Sequence, residues 1–572
     1  MTNNLVVSEW IIARLIQLGA TQFVISPGSR STPLTVAAAR NSQAETTVHF
    51  DERGAAYFAL GHGKATGHPA VLICTSGTAV ANYFPAVVEA SMDNVPMIIL
   101  SADRPPELIG VGANQAIFQE NMYGDYPRYF MNMGPPEADT SLDAILAEVD
   151  QLYSEALGSR PGPVHLNCQF REPLLPTSDI VMNDSASMGL ENASTNPKLT
   201  QPTKPANIAK KPLSLVLAKL ENYGKGLIII GRSTHENEDL AILSLAKTLN
   251  WPIFPDVQSS LRFKPNSNVI NYFDLMLLQE PLKSQKPEIV LHFGGPYTSK
   301  RLLTYLNDPD IIYISVKPTP EKIDPNHQVK MSVQTDIIGF CQSITDLKLN
   351  KPEHWLQTWR TANDAILGSI HSQLNSLDQI SEPVISYEIS KLTPNSHTLM
   401  LANSMAVREM EMFAAVGHFA GKITANRGSS GIDGLFASAA GFQVGSSRPL
   451  TLLIGDLASL HDLNSLSLIK NSPLPIIIVL INNKGGGIFN FLPVSQETDV
   501  FESYFGTPHD YSFEKAAEMF GIGYENPRSL NNFRQAYSQA TEGTDSIMIE
   551  VNTDRYENHR THQELFDIIR ES

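Results

Sequence analysis

Two wholly apolar runs near the end of the chain set the frame for its fold. The first ends in Gly455-Asp456. The second, residues 475–481, ends in Asn482-Asn483 and is followed by Gly485-Gly486-Gly487. Short apolar runs closed by turn residues are the pattern of parallel strands buried on both faces. Twenty-six residues lie between Asp456 and Asn483, and residues 460–469 leave room for a crossover helix. Such a βαβ unit puts Asp456 and Asn483 at the carboxyl ends of neighbouring strands, the edge where open α/β sheets bind ligands.

One carboxylate, one amide oxygen and a nearby backbone carbonyl make a hard, oxygen-only half-shell. That set suits Mg²⁺, which keeps some waters and takes its other oxygens from substrate phosphates. The glycines after Asn483 let the backbone approach an anion closely. The local reading is a metal-bridged diphosphate. An ordinary nucleotide-binding βαβ unit fits the same residues.

The rest of the chain repeats the theme. With 572 residues there is room for about three domains. Candidate strands at 21–26, 46–50, 70–75 and 97–101 alternate with helix-like segments, the pattern of a doubly wound parallel sheet over residues 1–180. Residues 181–212, rich in Ser, Thr, Asn, Pro and Lys, read as a linker. Strands at 226–231 and 288–293 mark a smaller α/β domain over 213–349, without a dinucleotide fingerprint. A polar helical connection is expected over 350–382, and the α/β pattern resumes over 383–572.

A net charge of −17 argues against bulk nucleic-acid binding. Three scattered cysteines with no CxxC fit a reducing compartment. The first twenty residues read as an amphipathic helix, not a signal peptide, and no apolar run is long enough to span a bilayer. A cytoplasmic protein that binds neither nucleic acid nor membrane is expected.

Glu52 follows the second candidate strand in His49-Phe50-Asp51-Glu52-Arg53-Gly54. Alone it reads as a first-turn acid favoured by the helix dipole. Arginine-bearing turns contain Arg30, Arg104, Arg408 and Arg427, and Lys300-Arg301 follows a glycine turn. Any one of these is an ordinary surface residue, and Lys300-Arg301 alone reads as a solvated pair. Several at strand ends point to anionic substrates, because guanidinium binds carboxylate through paired hydrogen bonds.

The Gly455-Asp456 and Asn482-Asn483 block resembles the signature of thiamine-diphosphate (ThDP) enzymes. The resemblance implies a three-domain α/β architecture: a pyrimidine-binding domain (1–180) and a diphosphate-binding domain (383–572), two similar doubly wound sheets, flank the smaller central domain. It implies Mg²⁺ (or Mn²⁺) held by Asp456, Asn483 and the Gly485 carbonyl, and Glu52 as the acid that activates the cofactor through its pyrimidine nitrogen. The stretches SPGSRSTPLT, HFDERGAA, SADRPPEL, GANQAIFQ, NSMAVRE, NRGSSGIDG, GDLASLHDLN and NNKGGGIFNFLP are similar, in order, to one branch of that group. The branch is the SEPHCHC synthases of menaquinone biosynthesis, which join 2-oxoglutarate, after loss of CO₂, to isochorismate. Leu457, where most ThDP enzymes have Gly, is the form found in this branch. Lys484 and Gly487 depart from many of its members.

By that resemblance Ser404, Arg408 and Arg427 take 2-oxoglutarate, with Arg408 and Arg427 joining Glu52 as catalytic residues. Ser29, Arg30, Arg104, Gln115, Lys300 and Arg301 receive isochorismate. Ser404, Gly431, Ile432, Leu457, Ala458, Gly486, Ile488 and Phe489 complete the cofactor site, with Ile432 beneath the folded cofactor. No histidine matches an acid–base position; His49, His62 and His461 read as structural. The resemblance also implies a homodimer with active sites between chains, assembled further into a homotetramer. The alternative is another ThDP 2-oxo acid decarboxylase or carboligase, such as an acetolactate synthase. Its pyruvate carries one carboxylate and needs fewer basic groups.

Overall fold

The computed structural model describes residues 3–176, 210–232, 236–344 and 352–571. The chain forms two compact units. The first comprises Met1–Thr203, Asn426–Arg448 and Leu460–Leu474; the second comprises Lys204–Ala425, Pro449–Ser459 and Pro475–Ser572.

The first unit is built on six parallel strands: β1 (Gln22–Ile25), β2 (Glu45–Val48), β3 (Ala70–Cys74), β4 (Met97–Asp103), β5 (Tyr129–Met133) and β6 (Pro163–Gln169), in the order β2-β1-β3-β4-β6-β5. Strands β1, β3 and β4 match the apolar runs. The strand expected over 46–50 stops at Val48, so His49 and Phe50 belong to the turn that leads into helix Glu52–Thr66. Strands β5 and β6 were not anticipated, because polar residues interrupt their apolar pattern. His165 and Asn167 are fully buried there. The Ser101 hydroxyl lies 2.7 Å from His165 Nε2 and donates to Asn167 Oδ1 at 2.8 Å, and Asn167 Nδ2 donates to Asp103 Oδ2 at 2.8 Å. Buried polar groups are tolerated when paired in this way.

Helix Leu435–Ser446 also belongs to the first unit and crosses helix Glu52–Thr66 at two glycines. A Cβ added at Gly441 would lie 1.9 Å from the Phe58 carbonyl oxygen, and one at Gly61 would lie 2.1 Å from that of Ser438. The contact is backbone against backbone, so no rotamer can relieve it. Gly441→Ala is therefore expected to destabilise the chain by at least the ~1–3 kcal/mol typical of overpacking. Thermal denaturation checks this, and an unchanged Tm would contradict the close crossing.

The second unit holds two sheets. Strands β7 (Gly226–Ile230), β8 (Ile253–Pro255), β9 (Ile289–Phe293), β10 (Ile312–Lys317) and β11 (Val329–Gln334) run parallel in the order β11-β10-β9-β7-β8. Strands β12 (Thr398–Leu401), β13 (Lys422–Ala425), β14 (Leu450–Gly455), β15 (Ile476–Asn482), β16 (Gly523–Glu525) and β17 (Ile547–Asn552) run parallel in the order β13-β12-β14-β15-β17-β16. Numbered from its own first strand, this sheet repeats the strand order of β1–β6. The two-fold repeat invisible at the residue level is thus present as topology. Arg262, fully buried, ties the two sheets together by donating Nε and Nη2 to the Glu411 carbonyl at 3.1 and 2.6 Å.

Two expectations are corrected here. The crossover between β14 and β15 is not one helix over 460–469. It is helix Asp456–His461, a 3-10 turn Leu463–Ser465 and helix Leu466–Lys470. The break falls at Asp462, whose buried carboxylate accepts the Ala437 N–H at 3.0 Å and the Ser465 hydroxyl at 2.7 Å. The helical stretch after residue 350 is not simply polar. Within helix Glu353–Ser376, Trp355 and Trp359 are buried, and Trp355 Nε1 donates to the Gly226 carbonyl at 2.7 Å. Of the expected linker, 181–209 lies outside the described residues, and helix Lys210–Asn222 follows. Among the described residues no helix is long and apolar enough to cross a membrane.

Candidate functional site

In the second unit, β14 leads without a spacer into helix Asp456–His461, so Asp456 stands at the strand's carboxyl end and is 2% exposed. Its Oδ1 accepts the Leu457 N–H at 2.6 Å and its Oδ2 the Gly485 N–H at 3.0 Å. His509 Nε2 lies 3.3 Å from Oδ2. Burial raises the Asp456 pKa, opposed by the Gly485 and Leu457 N–H groups.

The two asparagines after β15 are used differently. Asn482 is held at both ends of its amide. Its Nδ2 donates to Glu550 Oε1 at 2.6 Å and to the Tyr511 carbonyl at 2.9 Å, and its Oδ1 accepts the Lys484 N–H at 3.2 Å. Asn483 Nδ2 donates to Glu382 Oε1 at 2.9 Å, while its Oδ1 is buried with no hydrogen-bond partner. A buried amide oxygen without a donor is costly unless something electropositive meets it. Gly485, at φ +148°, completes the loop. A Cβ there would lie 2.2 Å from the Gly506 carbonyl oxygen, so only glycine fits. The Gly485 carbonyl accepts the Gly487 N–H at 3.0 Å and keeps a second lone pair. Carboxylate, open amide oxygen and carbonyl fit a hard divalent cation bridging phosphates. Leu457, Ile488 and Phe489 are half-buried around the loop, Ala458 and Gly486 are buried, and Phe489 packs edge-to-face on Phe505 at 5.6 Å.

The same unit contains a cavity of about 650 Å³ whose lining includes Lys300, Arg301, Met405, Arg408, Ile488 and Phe566. Ser404, at φ +67°, caps helix Met405–Phe413 in a backbone region costly for a side chain. Its carbonyl accepts Arg408 Nη1. Arg301 is not the solvated residue that Lys300-Arg301 suggested. It is half-buried, pairs with Asp274, and lies with its guanidinium carbon 4.6 Å from the Phe566 ring centroid. Lys300 is exposed.

The first unit gathers the remaining candidates. Glu52 is the first residue of its helix and half-buried, and its Oε2 accepts Asn82 Nδ2 at 3.2 Å. Arg30 is buried; it donates to the Phe170 carbonyl at 3.0 Å and Glu172 Oε1 at 3.1 Å, and its Nε is unpartnered. Arg104 Nε is likewise buried without a hydrogen-bond partner. Ser29 is exposed, as is Gln115, whose Nε2 donates to the Ser76 carbonyl at 3.0 Å. Half-buried Arg427, Gly431 and Ile432 lie on a loop pinned from both sides. Glu89 accepts the Gly428 and Ser429 N–H groups at 2.7 and 2.6 Å, and Asp433 accepts the Tyr57 hydroxyl at 2.6 Å. Burial lowers the pKa of both His49 and His62 to about 4, and the His461 carbonyl accepts Arg53 Nη2 at 2.7 Å.

Two residues of this site carried no sequence signal, His509 and Glu382. Both approach the Asp456–Asn483 pair from segments remote along the chain.

Comparison with known proteins agrees with this construction. The chain matches three family profiles: the N-terminal TPP binding domain of thiamine pyrophosphate enzymes over residues 5–124, the middle domain of thiamine pyrophosphate enzymes over 201–401, and their C-terminal TPP binding domain over 415–551. It is 41% identical to the 2-succinyl-5-enolpyruvyl-6-hydroxy-3-cyclohexene-1-carboxylate synthase of Chlorobium phaeobacteroides (strain BS1), over 99% of this chain and 98% of the relative. The enzymes of the same name from Salinibacter ruber and Rubrobacter xylanophilus are 38% and 39% identical, over 98% and 97% of this chain and 95% and 96% of theirs. Similarity of that extent, on a chain whose parallel sheets carry the Asp456–Asn483 cradle, shows that it belongs to the 2-succinyl-5-enolpyruvyl-6-hydroxy-3-cyclohexene-1-carboxylate synthase family of thiamine-diphosphate enzymes.

Proposed function

We propose that this chain carries out the reaction of its relatives' name: decarboxylation of 2-oxoglutarate and 1,4-addition of the resulting four-carbon unit to isochorismate, in menaquinone biosynthesis. The observation that carries the reading is the shared cavity. Lys300, Arg301 and Arg408 line one space beside Ile488 of the metal-cradle loop. Both substrates are dianions, and guanidinium groups in a partly dry site bind carboxylates through strong paired hydrogen bonds.

Asp456, Asn483 and the Gly485 carbonyl would hold Mg²⁺ (or Mn²⁺), which would supply the positive charge that anchors the diphosphate. Bound thiamine diphosphate supplies the carbon nucleophile and the electron sink for decarboxylation. The Glu52 carboxyl holds the proton shared with the cofactor's pyrimidine nitrogen. Gly431, Ile432, Leu457, Ala458, Gly486, Ile488 and Phe489 shape the cofactor's seat. Ser404, Arg408 and Arg427 orient 2-oxoglutarate, and Ser29, Arg30, Arg104, Gln115, Lys300 and Arg301 receive isochorismate. The unpartnered Nε groups of Arg30 and Arg104 support that role.

The working form is a cytoplasmic homodimer with sites between chains, paired into a tetramer. Exposed apolar side chains near Glu52 and Gln115 support a covering second chain: Val48 and Phe50 are 63% and 62% exposed, Val111 and Phe118 68% and 77%. The domains divide as 1–180, 213–349 and 383–572.

Purified chain with ThDP, Mg²⁺, 2-oxoglutarate and isochorismate should consume isochorismate, followed by its absorbance, and release CO₂. CO₂ release from pyruvate in preference to 2-oxoglutarate would favour an acetolactate synthase instead. Arg408→Ala should lower kcat/KM for 2-oxoglutarate about 10- to 100-fold, the worth of a charged hydrogen bond, with a smaller effect on isochorismate. Equal damage to both substrates would refute this division of the arginines.

A further inference from the structure

Glu382 is buried at the first position of helix Glu382–Leu392, about a hundred residues before the loop it touches. Its Oε1 accepts both Asn483 Nδ2 at 2.9 Å and the Thr553 hydroxyl at 3.2 Å. Behind it lies a second buried acid, Glu409, 3.1 Å from His562. Two buried acids beside one imidazole are expensive to desolvate. A glutamine would fill the same space without a charge, so shape alone does not explain a carboxylate here.

The difference lies in what each group offers. An amide side chain is ambiguous, since its oxygen and nitrogen can exchange places by a flip. A glutamine could meet Asn483 with either end. The Glu382 oxygen that meets Asn483 is an acceptor, since Oε1 takes both Nδ2 and the Thr553 hydroxyl, so Nδ2 is drawn towards it and Oδ1 is left on the opposite side. The neighbouring asparagine shows the same arrangement with the other outcome. Buried Glu550 draws Asn482 Nδ2, but the Lys484 N–H occupies Asn482 Oδ1. Of these two asparagines, Asn483 is the one whose oxygen has no hydrogen-bond partner.

We propose that Glu382 is a positioning residue that locks the Asn483 amide in the one flip state that presents Oδ1 to the divalent cation. Thr553 holds the Glu382 carboxylate in place. The inference rests on Asn483 being a metal ligand, and it adds what makes Asn483, and not Asn482, available.

The test reads metal binding, not turnover. Mn²⁺ is titrated into the full chain with saturating ThDP, and free Mn²⁺ is followed by electron paramagnetic resonance. Glu382→Gln should raise the Mn²⁺ Kd roughly 10- to 100-fold, as loss of a partner behind a metal ligand does. Asn483→Asp alone sets two acids face to face and should also bind weakly. In Glu382→Gln/Asn483→Asp the hydrogen bond re-forms with donor and acceptor exchanged and an oxygen again faces the metal. That variant should recover to within about threefold of the parent Kd, well inside the loss expected for either single change. Because a carboxylate is itself a stronger ligand for Mn²⁺ than an amide, the recovery supports the exchange only if the double variant also binds at least about tenfold more tightly than Asn483→Asp alone. Parent-like affinity in Glu382→Gln, or a double variant no tighter than the weaker single one, would overturn the proposal. Parent-like Mn²⁺ affinity in Asn483→Ala would instead remove the metal assignment, and this proposal with it.

Discussion

Glu52→Gln is expected to bind thiamine diphosphate and Mg²⁺ as the parent chain does, while kcat falls roughly 10²- to 10⁴-fold, the range for losing a positioned acid–base group. The substitution keeps the side chain's shape. It also keeps an acceptor for Asn82 Nδ2, which now contacts Glu52 Oε2. The helix start should persist as well, because Asp51, not Glu52, caps it by accepting the Arg53 N–H at 3.0 Å. What disappears is the carboxyl proton proposed to be shared with the pyrimidine nitrogen. Calorimetric ThDP titration and single-turnover CO₂ release separate the two effects. Parent-like turnover would remove Glu52 from the mechanism, whereas lost ThDP affinity would make it a binding residue.

Asp456→Ala should weaken ThDP binding at least about 100-fold, near 2.7 kcal/mol, and abolish its dependence on Mg²⁺. The cation would lose the one charged oxygen among its three proposed ligands. The Leu457 and Gly485 N–H groups would also lose their acceptor. Each stranded donor costs about 1–3 kcal/mol where water cannot reach it. The rise in Tm that ThDP and Mg²⁺ give the parent chain should accordingly vanish. An undiminished rise in the variant would show that the diphosphate is held elsewhere.

What could be read from the sequence follows from which signals are local. Apolar runs ending in Gly-Asp or Asn-Asn announce a buried strand and its ligand-facing end within a few residues, so β14, β15 and the positions of Asp456 and Asn483 were legible. Glu52 was legible as a helix start. Its chemistry came only with the family resemblance, because a first-turn acid is unremarkable by itself. Strands β5 and β6 were hidden because Asn132, His165 and Asn167 pair with one another and with Ser101 and Asp103 inside the sheet, which breaks the apolar pattern. The broken crossover was hidden because Asp462 reads as an ordinary helical acid, and its partner Ala437 lies 25 residues away.

Glu382 and His509 show the limit most clearly. Glu382 stands 101 residues from Asn483. Its sequence surroundings are those of any helix that begins Ser-Glu-Pro, a pattern that predicts a solvated acid and not a buried one. Arg301 was misread for a related reason. Only Asp274 and the Phe566 ring, both distant in sequence, turn a solvated-looking pair into one exposed lysine and one anchored arginine.

The most direct test of the account is the anomalous scattering of Mn²⁺ in crystals of the chain grown with thiamine diphosphate. A single strong peak per site is expected, bonded to Asp456, to Asn483 Oδ1 and to the Gly485 carbonyl, with diphosphate oxygens and water filling the remaining positions. A peak away from that loop, or ordered diphosphate with no metal between it and Asp456, would contradict it.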